Sequence, residues 1–111
     1  MKKFISQLRS AWHHGKGSKY TRRGNFKLAL NHFQAALKYS MLSDNEASVP
    51  LEMECVARTL VRLGEYEQAK KYADESLILY KKLHGPIFDD GAKRISELLT
   101  IVGKEKGDRL I

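Results

Sequence analysis

Apolar residues recur every three to four positions along most of the chain, and glycines and polar clusters interrupt them at regular intervals. Phe4, Ile5, Leu8 and Trp12 follow helical spacing and predict a first helix over residues 3–22. Gly15 and Gly17 fall inside it, each weakening it by about 1 kcal/mol relative to alanine. Close packing of a facing helix is the expected reason for both. Gly24 and Asn25 form a turn. Phe26, Leu28, Ala29, Leu30, Phe33, Ala36 and Leu37 predict a strongly amphipathic second helix ending near Tyr39. Ser43, Asp44 and Asn45 mark the next turn, within residues 41–48. Pro50 suits the first turn of a helix, and Met53, Val56, Ala57, Leu60 and Val61 give that third helix an apolar face up to Leu63. Tyr66, Ala69, Tyr72, Ala73, Leu77 and Tyr80 place a fourth helix over 66–83. His84, Gly85 and Pro86 read as a helix stop followed by a start. Ala92, Ile95, Leu98, Leu99 and Val102 then predict a closing helix over about 87–102, leaving a polar tail over 103–111 that is expected to fray.

The glycines Gly24, Gly64 and Gly103 recur at a nearly constant interval, and the first two sit in similar surroundings. R-G-N-F-K-L-A-L-N-H-F-Q-A-A-L around Gly24 aligns with L-G-E-Y-E-Q-A-K-K-Y-A-D-E-S-L around Gly64. A fixed period of about 40 residues marks a helical repeat array, whose units bury their apolar faces only against neighbours. The expected fold is all-α, a single domain over 1–111 built as a right-handed stack of antiparallel hairpins. Repeat 1 covers about 8–40, repeat 2 about 48–83, and the closing helix caps the stack.

These residues resemble the tetratricopeptide repeat family, whose pattern runs W-x2-L-G-x2-Y, then A-x3-F and a later small residue. Gly17 and Tyr20 match G-x2-Y, Ala29 and Phe33 match A-x3-F, and Ala36 is the small residue. The second copy has Gly64, Tyr66 and Ala69, with Ala73 in the phenylalanine slot and Ser76 in the small one. Trp12 lies one residue upstream of its slot, and Lys16 replaces the apolar residue before Gly17. The long period, and the segment from Leu79 to Pro86, resemble the variant found in kinesin light chains. The resemblance covers about residues 11–102.

Composition narrows the picture further. The chain is 42% hydrophobic and 30% charged with two prolines, which suits a folded helical protein. Its one cysteine, Cys55, excludes an internal disulfide and fits a reducing compartment. No apolar run reaches the length of a membrane span, and Ser6, Gln7 and Arg9 break any secretory-signal core behind Lys2 and Lys3. A cytoplasmic location is expected. The net charge of +7 is carried by one segment: Lys2, Lys3, Arg9, Lys16, Lys19, Arg22 and Arg23 occupy residues 1–23 without an acid, and the remaining 13 basic residues are matched by 13 acidic ones. Such a segment either attracts phosphate backbones, anionic lipid surfaces or acidic protein patches, or simply solvates a helix face.

The resemblance implies that the first helices of the hairpins line a concave groove for a peptide or partner helix. By register that groove has His14, Ser18 and Arg22, then Glu54, Arg58 and Arg62, then Lys93, Arg94 and Glu97. Arg58 and Arg62, four residues apart, share a helix face and favour an acidic segment or a terminal carboxylate. The pattern lacks the lysine and asparagine clamp of chaperone-binding members. A protein-interaction adaptor is therefore the leading expectation, with Phe4, Ile5, Leu8 and Trp12 either a seam for homodimer formation or a stripe packed on its own domain. A nucleic-acid-binding accessory using residues 1–23, with Tyr20 as a stacking ring, is the second reading. A cognate inhibitor or immunity-type partner of one protein is the third. No catalytic residue, cofactor or metal site is expected. Gly15-Lys16-Gly17-Ser18 lacks the spacing of a phosphate loop, His13, His14, His32 and His84 lack zinc-ligand spacing, and Cys55 shows no histidine partner in the sequence. Asp89 and Asp90 favour the dipole at a helix start.

Overall fold

A computed structural model describes residues 2–110, with side chains up to residue 105. Among the described residues there are five helices: α1 (Lys2–Arg22), α2 (Phe26–Leu42), α3 (Ser48–Arg62), α4 (Tyr66–Lys82) and α5 (Pro86–Leu110). Each packs on the next in sequence, and α3 also meets α5. The body measures 53 × 32 × 19 Å. Its thinnest dimension is about two helix diameters, so every side chain lies in a seam between helices or on a face.

The repeat period is written in the backbone hydrogen bonds. The amide of Asn25 donates to the carbonyl of Tyr20, and that of Glu65 to Leu60, both at 2.9 Å. Ala29 donates to Asn25 and Ala69 to Glu65, both at 3.0 Å. Gly24 and Gly64 hold φ at +75° and +78°, the left-handed conformation that ends a helix and that glycine reaches without strain. One buried side-chain bond repeats with its roles exchanged. Ser10 Oγ donates to the carbonyl of Ala36, and Ser76 Oγ donates to that of Pro50, which stands one period after Ser10. Each bond ties the first helix of a hairpin to the second.

The core follows the same register. Ala29, Phe33, Val56, Leu60, Ala69 and Val102 form one buried cluster, and Ala57, Ala73, Tyr80, Ile95 and Leu98 form another. Val61 and Tyr72 pack against both. The slot that Gly17 and Phe33 fill in the first hairpin is filled by Ala57 and Ala73 in the second. A Cβ on Gly17 would lie 2.7 Å from the Phe33 ring, whereas one on Gly15 would meet nothing. Facing-helix contact thus accounts for Gly17 and not for Gly15. Gly15→Ala is expected to stabilise the protein by up to about 1 kcal/mol through helix propensity. Gly17→Ala is expected to destabilise it by about 1–3 kcal/mol through overpacking. Urea unfolding of the two variants reads the opposite signs.

Two expectations change. Helix α2 runs to Leu42 rather than Tyr39, where Ser43 ends it with its hydroxyl donating to the carbonyl of Ser40. Helix α5 does not stop at 102: its backbone stays helical through Gly103 to Leu110, because no residue at 103 takes a positive φ and nothing there ends the hydrogen-bond ladder.

Candidate functional site

Glu54 is the centre of the best-organised polar cluster. It sits on α3 with 3% of its surface exposed. Burial tends to push its carboxyl up, but hydrogen bonds from Arg94 and Tyr80 and the charges of Arg94 and Arg58 outweigh that and hold it below the ordinary value. Arg94 grips it in a two-pronged contact, Nε to Oε2 at 2.8 Å and an Nη to Oε1 at 3.0 Å. Tyr80 Oη donates to Oε1 at 2.7 Å, and Arg58 Nε donates to Oε2 at 3.2 Å. Glu54 itself stands one period before Arg94, so the repeat brings equivalent turns of α3 and α5 face to face.

One carboxylate thus neutralises one of two guanidinium groups, whose side chains remain 47% (Arg58) and 42% (Arg94) exposed. Beside them a groove of about 370 Å³ is lined by Thr21, Phe26, Arg58, Thr59, Val61, Arg62, Leu98 and Ile101. Arg62 lies with its guanidinium carbon 5.7 Å from the centre of the Phe26 ring. The groove therefore combines two arginines on its wall with apolar surface from Phe26, Leu98 and Ile101.

The expected groove residues separate into two groups. Arg58, Arg62 and Arg94 cluster at one place and stay accessible. Glu54 does not line the surface as expected; it is buried beneath the arginines and orients them. Ser18 is half-buried, while Arg22 and Lys93 are exposed outside the groove wall. His14 turns away to α3, where its Nδ1 lies 2.7 Å from Glu52 Oε1. The Glu52 carboxylate raises the His14 pKa above its ordinary value, against the opposing effect of burial. The close approach is ionic rather than a well-aimed hydrogen bond. Neither His14 Nδ1 nor the other carboxylate oxygen, Glu52 Oε2, has a partner in hydrogen-bond geometry.

Cys55 does have a histidine near it, contrary to the sequence expectation: His14, Glu52 and Cys55 gather with their donor atoms within 4.8 Å of one another. The Cys55 thiol is held in its protonated, less nucleophilic form. Burial, and then the charges of Glu52 and Glu54, push it up to about 12. The other histidine contact joins His13 and His32, Nδ1 to Nδ1 at 3.0 Å, with burial and the His32 charge lowering the His13 pKa.

Phe4, Ile5, Leu8 and Trp12 are 60%, 43%, 56% and 56% exposed, so the stripe faces largely outward, although the Trp12 ring meets the His32 ring of α2 edge-on at 5.9 Å. Lys16 Nζ stands 5.2 Å over the Trp12 ring. Tyr20 is committed elsewhere, packed on the core and stacked on His32. Among the described residues no helix is long and apolar enough to cross a membrane.

Glu52, Tyr80, Phe26, Leu98 and Ile101 were not singled out by sequence as site residues. Their signals were present only in part: Glu52 and Cys55 are three apart on one helix face, while the phenol of Tyr80 looked like any core ring. No curated protein and no solved structure matches the chain. Residues 53–90 match the tetratricopeptide repeat model, a segment that spans most of α3, all of α4 and the start of α5. Repeats of this family generally mediate protein–protein interaction. Residues 53–90 are thus similar to a tetratricopeptide repeat, and the matched segment repeats the turn geometry of the first hairpin one period later within an all-α helical stack.

Proposed function

We propose that the protein is an interaction module that receives an acidic segment carrying an apolar anchor in the groove between α3 and α5. The observation that supports this reading is the pair of guanidinium groups on Arg58 and Arg94, held in place by a buried carboxylate and still about half exposed. Preorganised arginines lose little freedom on binding a carboxylate and form charge-assisted bonds to it. Arg62 adds charge on the groove wall, and Phe26, Leu98 and Ile101 offer a patch for one aliphatic or aromatic side chain.

The test is fluorescence anisotropy with a short glutamate-rich peptide containing one leucine, with a free or an amidated C-terminus. Arg58→Gln/Arg62→Gln is the variant of choice, because a glutamate at 58 would face Glu54. Binding weakened by about tenfold or more supports the groove. Unchanged binding overturns it. The free and amidated peptides separate terminal-carboxylate capture from side-chain recognition.

The exposed Trp12 under Lys16, on the helix that carries the chain's excess positive charge, favours nucleic-acid binding as a second reading. Capture from native lysate with and without nuclease separates the two. A protein that survives nuclease and is lost with the arginine variant supports the groove. Recovery that collapses with nuclease and ignores that variant moves the function to residues 1–23. The exposed apolar stripe also supports self-association of this module, and a monomer by light scattering at high concentration would exclude it.

A further inference from the structure

The cluster of His14, Glu52 and Cys55 has the make-up of a metal site. Its three donor atoms, one nitrogen, one oxygen and one sulfur, lie within 4.8 Å of one another. Glu52 and Cys55 are three residues apart on one face of α3, and His14 reaches them from α1. Glu52 is 3% exposed, and its Oε2 has no hydrogen-bond partner, while His14 Nδ1 lies 2.7 Å from Oε1 of the same carboxylate. A buried carboxylate oxygen without a partner is costly unless something accepts its lone pairs. No donor from α1 or α3 does so. From these donors we infer that His14, Glu52 and Cys55 bind a divalent cation of the zinc class.

Charge and ligand type select the cation. A dication held by one thiolate, one carboxylate and a neutral imidazole has no net charge, which is the state a seam between two helices tolerates best. Nitrogen and sulfur donors favour zinc and its neighbours over magnesium or calcium. Three protein ligands leave a fourth position open. A cavity of about 230 Å³ adjoins the site, with His14 and Glu52 in its wall beside Ser10, Asn45 and Ser48, and gives that position room for water or a small ligand. Binding forms the metal–sulfur bond as the Cys55 thiol releases its proton to solvent. A second proton leaves from His14 when the imidazole is charged. The cation then joins α1, which otherwise packs chiefly on α2, to α3.

The test uses the full chain, stripped of metal by chelation and kept reduced, and titrated with Co²⁺ as an optical probe. The expected result is a thiolate-to-cobalt charge-transfer band that saturates at one ion per chain and is displaced by Zn²⁺. Cys55→Ala should abolish the band, since Cys55 is the chain's one cysteine. His14→Gln and Glu52→Gln should each weaken cobalt binding on the order of tenfold or more. Helical circular dichroism confirms that each variant is folded. Zn²⁺ should also raise the melting temperature of the wild type and leave that of Cys55→Ala unchanged. Absence of the band in folded wild type overturns the assignment. So does a stoichiometry of one ion per two chains, or an affinity that both His14→Gln and Glu52→Gln leave intact.

Discussion

Glu54→Ala is expected to cost the metal-free protein about 3 kcal/mol at neutral pH, among the larger losses for one surface-adjacent cluster. Three effects add. The buried Tyr80 hydroxyl loses its acceptor, Arg58 and Arg94 are left as neighbouring like charges, and the side chain vacates packed space. Partial exposure of both arginines lets water recover some of the loss, which keeps the figure at the low end for a broken buried pair. The partners should rank by geometry. Arg94→Met removes a two-pronged contact and strands a buried carboxylate, costing about 2 kcal/mol, whereas Arg58→Met removes a longer and more exposed contact and costs less than about 1 kcal/mol. Urea unfolding of the three variants gives the order directly. A loss for Arg58→Met equal to that for Glu54→Ala would mean that Glu54 does not organise the cluster.

Acid should reveal the same linkage. The folded-state pKa of Glu54 lies below its ordinary value of 4.5. The unfolded chain therefore binds the proton first, so the contribution is complete above pH 4.5 and is lost as pH falls through the folded value. Glu54→Gln keeps the shape and cannot titrate. The stability gap between wild type and Glu54→Gln should be constant above that point and narrow below it. A gap that widens in acid would contradict the sign.

What the sequence made legible here was periodic. Gly24 and Gly64 revealed the unit, and the alternation of apolar faces placed all five helices, because both signals depend on local backbone geometry and on burial averaged over a turn. Arg58 and Arg62 could be placed on one face for the same reason. The sequence did not reveal which polar groups face inward. Glu54 and His14 occupy equivalent register positions, one period apart, and both looked like groove residues. Helix spacing decides direction only to within a side-chain rotamer, and the partner decides the rest. Glu54 was drawn under Arg94 and Tyr80, and His14 toward Glu52 and Cys55. Cys55 looked solitary because its histidine sits on a different helix, in the preceding hairpin. Metal-ligand spacing is a property of sequence only when a single turn or loop supplies the ligands, and here two helices do. The end of α5 was missed for a different reason: the residues from 103 on were expected to fray because they are polar and terminal, but a helix needs no apolar face to continue its hydrogen bonds, and Gly103 does not take the positive φ seen at Gly24 and Gly64.

Gly91→Ala is expected to destabilise the protein by about 3 kcal/mol although the substitution adds a single methyl group to a helix. Propensity alone would make the change favourable by about 1 kcal/mol. Against it, a Cβ at 91 would run into the edge of the Tyr80 ring. That ring is 3% exposed, and its hydroxyl is bound to Glu54. It can give way only by releasing the carboxylate or by prising α4 from α5. The interaction can be isolated with Tyr80→Leu, which lacks the outer ring atoms that collide. On that background Gly91→Ala should be neutral or stabilising by up to about 1 kcal/mol, giving a coupling energy of about 3 kcal/mol in the double-mutant cycle. Equal costs on both backgrounds would show that Gly91 is required for some other contact. The same chain of contacts carries a consequence for binding. Gly91 is absent from the groove wall, but it holds Tyr80, Tyr80 holds Glu54, and Glu54 sets Arg58 and Arg94. If the proposed groove depends on preorganised arginines, Gly91→Ala should weaken the acidic peptide even in conditions where the variant remains fully folded, and Gly15→Ala, on an open face of α1, should leave that affinity unchanged.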